Sequence, residues 1–323
     1  MGYHLKYNRK KTAGYTLLEM AIVILIAAVL ITTMFAVVDT QLQASYVATT
    51  RNNLQIVSAA LEKYLANTGN LPCPADLNTP PTDSNYGIAR VSRTANTPDT
   101  CITSANNIFS YTDSNEVIYM GAVPFQTIGL NNSFMFDGWD NKITYVVQRS
   151  FINGSPTSTC VTAANAADLH TSTQYICPRG QASGSVNAGS VDIRIYDYLG
   201  GRITNNDAIY VLISHGKNGL GAFTKNADGA GPNTDRNPLP SYPGNVNERN
   251  NTNCDITSTT CSTTAMQHPS FSTIGGTAEY ATFDDIIFYR TRNQVIFSCN
   301  YNNNNACTNG NSTNPNRDGT DLR

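Results

Sequence analysis

Two groups of side chains are spaced in ways that invite chemistry. The first is Glu19, a lone carboxylate with Gly14 ahead of it and Arg9-Lys10-Lys11 ahead of that. From Met20 to Val38 no side chain is charged, so Glu19 stands at the head of a long apolar run. A carboxylate inside such a run costs roughly 2.5–3.5 kcal/mol at a bilayer centre and less near its edge, and it usually has a function. The second is Ser214-His215-Gly216-Lys217-Asn218-Gly219-Leu220-Gly221, a glycine-rich stretch with Asp284-Asp285 far behind it. A phosphate loop would need Gly-Lys-Ser/Thr at the start of a helix. Here Lys217 is followed by Asn218 and no helical pattern follows, which excludes nucleotide binding of that kind.

Hydrolytic chemistry finds little support. The sequence has no Gly-x-Ser-x-Gly and no His-Glu-x-x-His, and His4, His170, His215 and His268 are isolated from one another. His215 reads as a hydrogen-bonded turn histidine rather than a catalyst. Asp284 and Asp285 are adjacent on an expected strand and so should face opposite ways, which suits paired-carboxylate catalysis poorly.

The elements that must position these residues begin with the apolar run itself. Tyr15 to Val38 is about 24 residues, ~36 Å as a helix, against a bilayer core of ~30 Å. A secretory signal would have a shorter apolar core, of ~7–15 residues, and a small-residue cleavage site, which Thr33-Met34-Phe35-Ala36-Val37-Val38-Asp39 does not offer. A plain anchor explains the run and its basic flank but leaves Glu19 unexplained.

Gly14-Tyr15-Thr16-Leu17-Leu18-Glu19 accounts for all three features, because it resembles the processing site of type IV prepilins and type II secretion pseudopilins. In that family a membrane peptidase cuts after the glycine and methylates the new N-terminus, and the glutamate guides assembly. The resemblance implies cleavage between Gly14 and Tyr15, N-methylation of Tyr15 and an assembly role for Glu19. This chain has Tyr15 where the family usually has Phe or Met. The physics agrees: cleavage leaves a cationic amine at the positive end of a helix dipole, and Glu19 is one helical turn away, able to neutralise its own amine or a neighbour's.

The same resemblance implies an α+β fold. Residues 1–14 would be a leader, and residues 15–68 one long helix with residues 15–38 in the membrane. Residues 69–323 would form a β-rich head on an antiparallel sheet with disulfide-tied loops. The implied role is a non-enzymatic filament subunit, a pilin, minor pilin or pseudopilin. Its partners would be prepilin peptidase, the inner membrane and other copies of itself or other pilins. The alternative is a membrane-anchored periplasmic binding protein or enzyme whose anchor is not processed. Major pseudopilins also carry a strand, a Ser-x-Gly-x-Asp-Gly loop and later acids that bind Ca²⁺. By that likeness Asn218, Asp284 and Asp285 are candidate calcium ligands, with Asn218 where the family often has Asp. Read without the family, the glycines make a turn and the acids are solvated.

Composition fits an exported protein. Charged residues are 14% of the chain, well below the ~25% of ordinary domains. Without the four leader bases Lys6, Arg9, Lys10 and Lys11, 17 basic residues face 23 acidic ones, which argues against a broad nucleic-acid surface. The basic flank precedes the apolar run, so the N-terminus should be cytoplasmic and the rest periplasmic or, after assembly, on the cell surface. Eight cysteines, an even number with no Cys-x-x-Cys, read as disulfides in a translocated domain. The expected pairs are sequential: Cys73–Cys101, Cys160–Cys177, Cys254–Cys261 and Cys299–Cys307.

Beyond the run, Leu54, Val57, Leu61 and Leu65 recur at helical spacing, and Asn67-Thr68-Gly69 with Pro72 supplies a stop. Residues 76–112 read as a turn-rich loop. Strands are expected at 117–123, 143–147, 191–196, 208–214, 283–289 and 294–299. Trp139, between the first two, is expected in the core. Asp197 to Thr204 echoes Asp137 to Thr144 and suggests an equivalent hairpin. Residues 148–190 and 224–280 read as long loops, and the asparagine-rich tail shows no apolar pattern.

Overall fold

The computed structural model describes residues 16–68, 70–92, 100–103, 108–113, 116–152, 193–196, 208–225, 236–242, 244–252, 270–273, 283–291 and 294. The expected strand at 294–299, apart from Gln294, and the echo at 197–204 lie outside them. By internal packing the chain divides into two units, Met1–Tyr46 and Val47–Arg323.

The first unit contributes the start of helix α1, Leu17–Thr68. Its large apolar side chains, where described, stand largely uncovered: Leu17, Leu25 and Leu30 are 89%, 65% and 57% exposed. This stretch is long and apolar enough to cross a bilayer. Thr32, polar within it, turns its hydroxyl back to the Ala28 carbonyl at 2.7 Å. That bond satisfies in lipid a group that water would satisfy elsewhere.

In the second unit the remainder of α1 packs on a sheet. Leu54, Val57, Leu61 and Leu65 are all buried, at the three- and four-residue spacing read from the sequence. Each contributes about 1.5–3 kcal/mol by leaving water. The strands are β1 Val91–Ser92, β2 Thr100–Cys101, β3 Phe109–Asp113, β4 Glu116–Ala122, β5 Thr144–Gln148, β6 Arg194–Tyr196, β7 Ala208–Ser214, β8 Ser270–Ser272 and β9 Ile286–Thr291. The main sheet is antiparallel in the order β3-β4-β5-β7-β9, with β5 and β7 buried along their whole length. Its register pairs Met120 with Val146 and Val146 with Val211. β1 and β2 form a separate antiparallel pair, whereas β6 and β8 pair in parallel. The stretch 224–280, expected as loop, contains β8 and a short helix α2, Val246–Asn250.

Polar contacts fix the helix on the sheet. Ser58 Oγ lies 2.8 Å from Tyr210 Oη, and Arg290 Nε donates to Glu62 Oε1 at 2.8 Å. Asn53 Nδ2 donates to the Phe136 carbonyl at 2.9 Å, and the Gly138 amide donates to Thr50 Oγ1 at 2.8 Å.

After α1 the chain does not loop away. Leu71 to Thr79 is a buried strap. Its backbone is held at intervals: Leu71 N to Phe151 O at 2.6 Å, Tyr145 Oη to Pro72 O at 3.2 Å, and Ala75 to Ala122 by reciprocal bonds of 2.9 and 2.8 Å. Gly121 makes the crossing possible, since a Cβ there would sit 2.6 Å from the Ala75 carbonyl. Lys142, fully buried, donates to the carbonyls of Leu77 at 2.6 Å and Thr79 at 3.3 Å, with its ammonium 5.7 Å from the Tyr86 ring centre. The Cys73–Cys101 disulfide closes the strap onto β2 across 28 residues. A loop of that length is worth about 3.5 kcal/mol in the chain-entropy account. The other six cysteines lie outside the described residues. Trp139 is half-buried on the turn after Phe136 and is not part of the core.

Candidate functional site

The N-terminal site is built by the first turn of α1. Thr16 precedes the helix, and its hydroxyl accepts the Glu19 amide at 3.3 Å. In return Glu19 Oε2 accepts the Thr16 amide at 2.8 Å and the Thr16 hydroxyl at 3.0 Å. This is a capping box, in which Thr and Glu three residues apart satisfy two backbone donors that the helix start leaves open. The Thr-x-x-Glu spacing is present in the sequence, where Glu19 stands out by its charge and its place in the processing motif rather than as a cap. Both bonds fall on Oε2; Oε1 makes none among the described residues. Gly14 and Tyr15 lie outside the described residues.

The second site gathers three distant segments of the head: the turn after β7, α2 and the approach to β9. β7 delivers Ser214, and the following turn needs Gly216 at φ +62°, where a Cβ would run into Asp284. Asp284 and Asp285 precede β9 rather than lie on it, and there they do not diverge. One oxygen of each, together with one of Glu248 from α2, falls within a 4.8 Å cluster. The expectation that the two aspartates face opposite ways is therefore corrected, because backbone outside a strand need not alternate.

Glu248 was not singled out from the sequence, and nothing in its neighbourhood marks it, since the contact is made only by folding. Asn218 joins the cluster differently from a simple oxygen ligand. Its Oδ1 accepts from the Leu220 amide at 2.9 Å, and its Nδ2 donates to Glu248 Oε1 at 2.6 Å. Its backbone amide donates to Asp284 Oδ2 at 2.7 Å. Asn245 Nδ2 holds Glu248 Oε2, and Asn251 Nδ2 holds Asp285 Oδ2, each at 2.7 Å. Asp284 Oδ1 is buried without a hydrogen-bond partner. Burial raises the Asp284 carboxyl above its ordinary value, against the pull of the backbone amides that bond it.

Three carboxylates this close repel one another, strongly so where water is scarce. A hard divalent cation relieves that repulsion and takes carboxylate oxygens as ligands. Glu248, Asp284 and Asp285 fit such a cation. The Asn218 side chain fits as a support for Glu248.

A third polar group lies beneath this loop. Asp137 accepts the Trp139 and Asn141 amides, each at 2.9 Å, and the Ser214 hydroxyl at 2.7 Å. Burial nevertheless pushes its pKa up to about 6. His215 is 1% exposed, with Nε2 3.1 Å from Thr144 Oγ1. Burial, helped by the Arg236 charge, lowers its pKa to about 3. A neutral histidine sealed inside the fold cannot meet a substrate, and the turn reading of His215 agrees with this geometry.

The prokaryotic N-terminal methylation motif matches residues 9–35 of the chain. No curated protein and no solved structure matches it. The matched segment contains Gly14, Tyr15, Thr16 and Glu19 and includes most of the apolar run. It supports a type IV pilin-like role in general and a membrane-anchored N-terminus.

Proposed function

We propose that this chain is a structural, non-enzymatic subunit of a type IV pilus or type II secretion-like filament. The observation that carries the reading is the methylation motif at residues 9–35. It coincides with an uncovered apolar helix whose first turn presents a single carboxylate. Prepilin peptidase cuts between Gly14 and Tyr15 and methylates Tyr15. The helix then leaves the inner membrane and packs against the helices of other subunits, with the head on the outside of the filament. The uncovered side chains of residues 17–31 are the surface such packing would bury, and Glu19 supplies the counter-charge for a cationic N-terminus. Incubating the full-length chain with prepilin peptidase tests this reading. The expected product lacks residues 1–14, and an uncut chain would instead favour an unprocessed membrane-anchored protein.

We further propose that the head holds Ca²⁺ through Glu248, Asp284 and Asp285. Calcium would tie the turn after β7, α2 and the approach to β9 into one piece. Binding to the folded state alone adds about 2.7 kcal/mol when free calcium is 100-fold above Kd. The full-length protein in detergent should therefore melt at a lower temperature after chelation and recover with added Ca²⁺. An unchanged melting temperature would remove calcium from the account.

A further inference from the structure

The strap from Leu71 to Thr79 encloses a reactive bond. Cys73 belongs to the strap and is 0% exposed; its partner Cys101, on β2, is 5% exposed. Thiol–disulfide exchange needs a thiolate to reach one of the sulfurs directly. The burial of Cys73 is made by the seating of the strap, so it lasts only while the strap is seated. Just beyond Cys73 the strap is held on two sides. The Arg90 amide donates to the Pro74 carbonyl at 3.2 Å, and Ala75 exchanges bonds with Ala122. The far end is held by a charge: the buried Lys142 ammonium donates to the carbonyls of Leu77 and Thr79. Hydrogen bonds from a charged donor are roughly twice as strong as neutral ones, and removing the donor strips both carbonyls of this partner.

We infer that Lys142 is the latch of a redox gate: it keeps the strap down, and the strap keeps reductants from the Cys73–Cys101 disulfide. The gate opens locally, by lifting of the strap, while the rest of the head stays folded. When it opens, a dithiol reductant passes two electrons and two protons to the disulfide. Cys73 and Cys101 become thiols, and the reductant closes to its own disulfide. The same geometry orders maturation. The thiol oxidation that makes this bond must act before the strap seats, or while it is lifted. The inference concerns the head alone and does not depend on the filament or calcium readings.

The test exposes the oxidised full-length chain, in detergent and without denaturant, to dithiothreitol. Alkylation of Cys73 and Cys101 is followed by peptide mass spectrometry. In the parent this pair should be reduced roughly 100-fold more slowly than in the guanidinium-unfolded chain. Lys142→Met keeps an unbranched side chain and removes the ammonium, and should speed native-state reduction roughly tenfold or more. Leu61→Ala weakens the head through the core of α1 and should leave the rate close to the parent's. Should Lys142→Met fail to fold, Gly121→Ala replaces it. A Cβ there would sit 2.6 Å from the Ala75 carbonyl and lift the strap at its middle, with the same rise expected. Reduction of the parent as fast as the unfolded chain, or a rate unchanged by the strap variant, overturns the inference. So does equal acceleration by Leu61→Ala, which would put reduction behind unfolding of the whole head.

Discussion

The two units of this chain treat the same kinds of residue in opposite ways. In the first, leucine, isoleucine and valine stand uncovered along α1 and a single carboxylate sits at its start. In the second, Leu54, Val57, Leu61 and Leu65 on the same helix are sealed against a sheet, and polar groups such as Lys142, Asp137 and His215 are buried with them. Burial in the head is achieved within one chain, so its stability is its own. The uncovered stretch finds no such cover among the described residues, as fits a membrane-anchored N-terminus. A single continuous helix thus serves two solvents, and its amino-acid pattern changes where the solvent does. From Met20 to Val38 it is apolar on every side but for Thr32 and Thr33; beyond Arg51 it is apolar on one stripe.

Breaking that contrast should give unequal effects. Leu61→Ala leaves a cavity under the sheet and should destabilise the head by about 2–5 kcal/mol in denaturant unfolding of the detergent-solubilised chain. Leu25→Ala removes the same atoms from an uncovered position and should leave the unfolding of the head unchanged. Equal losses from the two substitutions would mean that the first unit also has an internal core.

The smaller effect is on pH dependence, which belongs to the head. His215 has a folded pKa of about 3, below its ordinary value. Its contribution is complete above about pH 6.5 and is lost on acidification at about 1.4 kcal/mol per pH unit. Asp137, with a folded pKa of about 6, above its ordinary value, acts in the opposite sense. It destabilises the fold most above pH 6, and that cost is relieved as the pH falls toward about 4. The melting temperature should therefore fall between pH 7 and 6, where His215 titrates in the unfolded chain alone, and flatten from pH 6 to 4, where the two slopes cancel. In Asp137→Asn the fall should continue through that range. A flat Asp137→Asn profile would show that His215 is not held neutral by its burial.

Much of this was readable from residue types and spacing. The three- and four-residue spacing from Leu54 to Leu65 marked the buried helical stripe, because a helix repeats every ~3.6 residues. The β-branched runs at 117–123, 143–147 and 208–214 marked β4, β5 and β7 for the same kind of reason. The strap from Leu71 to Thr79 was not readable. It has no periodic pattern, and its carbonyls are satisfied by Tyr145 and Lys142, more than 60 residues away. Lys142 gave no sign of being buried, since a lysine is ordinarily a surface residue until the fold supplies acceptors. Asp284 and Asp285 were found by type, but their convergence depends on where β9 begins, and strand ends are poorly marked in sequence. Glu248 could not be found at all, because α2 meets the Asn218 turn only through long-range folding. Thr16 was within reach, since Thr-x-x-Glu is a capping box by spacing alone.

The central claim is that residues 9–35 direct processing and assembly. Mass spectrometry of the N-terminal peptide of the mature subunit, isolated from sheared filaments, tests it most directly. The account predicts a chain that begins at Tyr15 with one methyl group on its α-amine. A subunit that still carries residues 1–14, or that begins at any other residue, would contradict it.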